Sequence, residues 1–124
     1  MTKGVRIEQA VAQALGRAES AADAYASALR VIAEQGGWHF AAAWEPDPAD
    51  PQQLRCVAQW SRPGEDTAAF AQATGAIVLA PGEGLPGRVW AAGEVAWVAD
   101  VALHRALPRR AAAATAGLHA AVCF

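Results

Sequence analysis

Three glycines, Gly82, Gly84 and Gly87, fall at the spacing G-x-G-x-x-G inside PGEGLPGRVW, residues 81–90. In a dinucleotide site, such glycines form a tight turn after a strand and bring backbone N–H groups to a pyrophosphate at a helix N-terminus. An apolar run, AIVLA, precedes them, and Asp100 stands downstream. The neighbouring residues point away from that chemistry. Gly93 closes the next helical run after about two turns, whereas a parallel crossover needs a dozen residues or more. Pro86 removes a donor where phosphate oxygens need one. Glu83 sets a negative charge beside a negative ligand. The glycines read instead as the makers of a backbone corner, with Pro86 preset for a helix start.

The other reactive residues are scattered. Cys56 and Cys123 lie far apart in apolar surroundings, at no metal-ligand spacing, and read as buried free thiols. His39, His104 and His119 fall on separate elements with no close pair at metal spacing. His39 sits on the polar side of a strand, where exposure or a hydrogen bond is the ordinary fate. No Ser/His/Asp set is apparent, although such a triad is spatial. The net charge of the 124 residues is -2 with no basic run, which argues against a nucleic-acid partner. Glu8 and Gln9 interrupt the N-terminal segment, so it is no signal peptide, and no apolar run approaches a membrane span. Arg outnumbers Lys nine to one beside abundant Ala, as in a GC-rich, bacterial coding sequence. A cytoplasmic protein with no membrane partner is expected, and the residues name no cofactor.

The elements that must carry these residues alternate between helix and strand. Residues 5–35 contain no proline and favour one long helix. Val11, Leu15, Ala18, Ala22, Tyr25, Leu29 and Ile32 form a heptad seam on it. That seam lies either on the domain's own sheet or against a second copy, giving a homodimer through the N-terminal helix. Gly36–Gly37 stops the helix. WHFAAAW (38–44) and LRCVAQW (54–60) alternate as strands, and EPDPADPQQ between them makes an antiparallel hairpin. A helix over TAAFAQATG, a strand AIVLA, a short helix in GRVWAAG and a strand EVAWVADV follow. LHRALPRR is a loop, AAAATAG a short helix, and LHAAVCF a strand-like run. One α+β domain over residues 1–124 is expected.

With its flanks, APGEGLPGRVWAAGEVAWVADV resembles the signature of GAF domains, sensory modules of signalling proteins. GGWHFAAAWEPD, LRCVAQW, FAQATGAIVLAPGEG and GLHAAVCF follow the family's order, so the likeness spans nearly the whole chain. It is similar in particular to GAF domains that precede histidine kinase or cyclic-di-GMP synthase modules. The resemblance implies a GAF-like antiparallel sheet with a long N-terminal helix and short helices packed on it. The family continues with further strands and a closing helix, so the sequence reads as C-terminally truncated. Open sheet edges would make it less stable than a complete domain, or self-associating.

The function implied is that of a regulatory sensor, binding a small ligand or dimerising to control an attached output domain in a two-component or related system. The resemblance implies no enzymatic activity. By analogy with the family, Trp97, Asp100, His104 and Arg109 are ligand-pocket candidates. Each has a plainer alternative: packing for Trp97, a cap for Asp100, and solvated loop positions for His104 and Arg109. The competing function is an interaction scaffold without a ligand. Methionine sulfoxide reduction, known on GAF-like proteins, uses a cysteine in the glycine-rich turn. This turn carries Leu85 and Pro86 instead, and VCF is not a bilin-attachment motif.

Overall fold

A computed structural model describes residues 3–17 and 19–124, with side chains from Arg6 onward. The elements are α1 (Lys3–Arg17), α2 (Ala21–Gly36), β1 (Phe40–Pro46), β2 (Leu54–Ser61), α3 (Ala68–Ala76), β3 (Val78–Leu79), α4 (Gly84–Ala92), β4 (Ala96–Val98), a 3-10 turn (Val101–Leu103), α5 (Arg110–Thr115) and β5 (Ala121–Cys123). They form a three-stranded sheet ordered β1-β2-β3 and a two-stranded sheet β4-β5. The expected α+β class with antiparallel pairing is borne out. Two compact units divide the chain: Met1–Ala43 with Val57–Glu65, and Trp44–Cys56 with Asp66–Phe124.

In the first unit the long N-terminal helix is not continuous. It breaks between Arg17 and Ala21, and α1 packs on α2 as a helical hairpin. The cause is a reciprocal cap. Ser20 Oγ accepts from the Asp23 N–H at 3.1 Å, and Asp23 Oδ2 accepts from the Glu19 N–H at 3.1 Å. A serine followed three residues later by an acid starts a helix more strongly than it continues one. The seam therefore divides between two helices of one chain. Leu29 and Ala33 are buried, Val11, Tyr25 and Ile32 half-buried, and Leu15 is 50% exposed. Ala18 lies outside the described residues.

Arg62 locks the end of α2. Its Nη2 donates to the carbonyls of Ala33 (3.2 Å) and Trp38 (2.6 Å), and its Nε to that of Trp38 (3.0 Å). The Ala33 carbonyl also accepts from the Gly37 and Trp38 N–H groups, so the guanidinium reinforces a cap that the backbone already makes. His39 Nδ1 meets both carboxylate oxygens of Glu65 at 2.6 Å, and the Arg62 N–H donates to the His39 carbonyl at 3.0 Å.

In the second unit, Asp47 and Asp50 turn the hairpin. Their carboxylates accept from the Ala49 and Gln52 N–H groups, two residues on in each case. β3 pairs with β2 through Leu54–Leu79 and Arg55–Val78. β4 pairs with β5 through Ala96–Cys123, Trp97–Val122 and Val98–Ala121. Val98, Val101, Leu107 and Ala113 form a buried cluster flanked by Phe70, Leu85, Leu118 and Ala121.

The glycine corner sits between β3 and α4, and three of its donors are spent internally. The Gly82 N–H donates to Gly87, the Glu83 N–H to Ala80 and the Gly87 N–H to Glu83, at 2.8–3.1 Å. No phosphate can claim those groups without breaking the corner. Gly87 must be glycine because a Cβ there would strike the Ala80 carbonyl oxygen. The buried side of α4 is Gly84, Pro86 and Gly87, with Trp90 38% exposed, because only small residues permit this close approach. Gly82 differs: its φ is +82° but nothing lies within 4 Å of an added Cβ. Gly87→Ala should cost about 2–3 kcal/mol through forced backbone displacement, and Gly82→Ala about 1–2 kcal/mol through left-handed strain alone. Urea denaturation of the two variants checks the order. Equal losses would contradict the close-approach reading.

Candidate functional site

The second unit brings together residues that sequence spacing keeps apart. Phe70 and Thr74, four residues apart on α3, share a helix face. Trp44 lies on β1, Cys56 on β2 and Cys123 on β5. Arg109, just before α5, reaches into this group. Its Nη1 donates to Thr74 Oγ1 at 2.8 Å, and the Thr74 side chain is fully buried. The guanidinium carbon lies 5.0 Å from the ring centre of Trp44 and 4.8 Å from that of Phe70. Both distances are within reach of cation–π attraction.

The electrostatics of this group are unusual. Burial lowers the Arg109 pKa from its ordinary value, and the thiols of Cys56 and Cys123 lie close enough to act against that shift. Burial also raises the Cys123 pKa, with Arg109 opposing. Cys123 is thus a neutral thiol at neutral pH and no counter-ion. The ion pairs His39–Glu65 and His119–Asp100 do not involve Arg109. Buried charges are normally paired. Here the cation has two rings, a hydroxyl and no carboxylate.

Asp100 is placed differently. Its Oδ1 caps the 3-10 turn, accepting from the Ala102 N–H at 3.0 Å, and lies 3.2 Å from His119 Nδ1. The backbone hydrogen bond, then the His119 contact, hold its carboxyl below the ordinary range. His104 ends that turn as an exposed residue. Trp97 is 72% exposed, and strand alternation sets it on the face of the β4–β5 ribbon opposite Cys123. Of the four candidates, Arg109 enters the cluster, Asp100 serves as a cap, and Trp97 and His104 stand at the surface. Among the described residues, no group of three His, Cys, Asp or Glu could hold a metal. No helix there is long and apolar enough to cross a membrane. Trp44, Phe70 and Thr74 were not among the sequence candidates. The signal that could have found the last two is their helical spacing.

No family model matches the sequence, and no curated protein does. Solved structures do resemble it. The A. aeolicus nlh2 GAF domain, in an inactive state, superposes with TM-score 0.66 and 16% identity, covering 91% of this chain and 62% of that one. The GAF domain of the Acinetobacter phosphoenolpyruvate-protein phosphotransferase gives 0.67 and 15%, covering 86% and 63%. The free methionine-R-sulfoxide reductase of Neisseria meningitidis, in complex with its substrate, gives 0.60 and 17%, covering 88% and 60%. This chain therefore spans about three-fifths of the length of those structures.

The Asp100 cap yields a pH dependence. Its folded-state pKa lies below the ordinary 3.8, so its contribution is complete above that value and is lost as pH falls through the lower folded value. The stability advantage of the wild type over Asp100→Asn should hold from neutrality down to about pH 4 and shrink below it. Melting curves across that range check this. A difference independent of pH would contradict it.

Proposed function

We propose that this chain, which has the fold of GAF domains, is a regulatory sensor module of a bacterial signalling protein. A small molecule occupies the second unit at Arg109, and occupancy is passed to an attached output domain, such as a histidine kinase or diguanylate cyclase. The observation that carries the reading is the half-buried guanidinium held by Trp44, Phe70 and Thr74 without a carboxylate. A structural arginine spends its donors on the chain, as Arg62 does.

One of the similar structures is an enzyme, but this chain's chemistry favours regulation. The glycine corner carries Leu85 and Pro86, and the half-buried Cys123 thiol, its pKa raised by desolvation, is a poor nucleophile at neutral pH. A scaffold reading draws on the exposed Leu15 of α1, which offers a contact for a second copy. Dimerisation through the helical hairpin is compatible with ligand sensing. The scaffold reading alone leaves the Arg109 cluster without a role.

Thermal melting against a panel of neutral, cationic and anionic metabolites separates the readings. A ligand at about a hundredfold its Kd adds about 2.7 kcal/mol, raising the melting point of a domain this size by about 10 °C. At least one compound should do so. A panel with no effect would favour the scaffold.

A further inference from the structure

We infer that Arg109 anchors a small monocarboxylate, whose carboxylate supplies the counter-charge that the chain withholds. This rests on the sensor reading and names the chemistry of its ligand. A guanidinium has five N–H donors in a planar fork. Thr74 Oγ1 takes one of them. The rings of Trp44 and Phe70 attract the charge but do not replace an oxygen acceptor for the remaining in-plane donors. The group that meets such a fork edge-on is a planar carboxylate, which accepts two parallel hydrogen bonds.

Charge and polarity narrow the class. Among Trp44, Cys56, Phe70, Thr74, Arg109 and Cys123, Arg109 is the one basic residue. The adjacent Arg110 turns elsewhere, with its Nη1 3.4 Å from the Ala102 carbonyl. A single cation balances a monoanion and leaves a phosphate dianion under-neutralised. The rings and the neutral Cys123 thiol favour an apolar or lightly polar body on the ligand. Asp100 keeps its carboxylate on the Ala102 N–H and His119, where it does not compete for Arg109.

The test is calorimetric titration of the wild-type chain, at fixed ionic strength, with short aliphatic, hydroxy and aromatic monocarboxylates. Each acid is matched with its amide, and inorganic phosphate is included. At least one acid should bind while its amide, isosteric but uncharged, does not. This comparison needs no variant. Arg109→Met should abolish the binding. Arg109→Lys, which keeps the charge and loses the fork, should weaken it by about tenfold or more. Amides binding as well as acids, phosphate binding more tightly than every carboxylate, or Arg109→Met binding like the wild type would each overturn the inference. If no acid binds while a neutral metabolite still raises the melting point, the carboxylate inference falls and the sensor reading stands. If no compound of any charge binds, both fall.

Discussion

A half-buried guanidinium, held by two rings and a hydroxyl with no carboxylate beside it among the described residues, is the constraint around which the second unit is arranged. Holding Arg109 there draws on Trp44 from β1, Phe70 and Thr74 from α3, and the thiols of β2 and β5. Removing charge from water costs several kcal/mol unless it is compensated. Ring contacts return about 1 kcal/mol each, more where desolvated, and a hydrogen bond to a charged group about 2 kcal/mol. Those terms make the position tolerable without making it a gain. Arg62, in the first unit, shows the other use of the same side chain: its Nε and Nη2 are given to two backbone carbonyls.

The glycine corner works in the background. Gly87 lets α4 approach the Ala80 carbonyl, and the corner's N–H groups close on its own carbonyls. The segment that looks most like a ligand loop thus binds nothing through its backbone donors at Gly82, Glu83 and Gly87. It holds α4 against β3 in the same unit that carries Arg109.

Much of this was legible in the chain. Proline and aspartate marked the hairpin turn, alternation marked β1 and β2, and Pro86 with Glu83 argued against the phosphate reading. The break in the N-terminal helix was missed because propensity and an unbroken seam outweighed a local signal. Ser20 and Asp23 cap a new helix, and the alanines on either side allow either outcome. Arg109 was reached by resemblance, while its partners were not. Trp44 and Phe70 are as easily core residues as cation-binding ones, and only the fold shows that a charge lies against them. Asp100 was legible in its plainer role, since an aspartate ahead of a short turn is a natural cap.

The central claim is that Arg109 is retained for a ligand and is not required for stability. Equilibrium denaturation of Arg109→Met beside the wild type, both without ligand, tests it most directly. Replacing a half-buried charge that has no ion-pair partner with an apolar chain of similar length should leave stability within about 1 kcal/mol of the wild type, or raise it. A loss of about 3 kcal/mol or more would show that the chain itself uses the charge, and would contradict the claim.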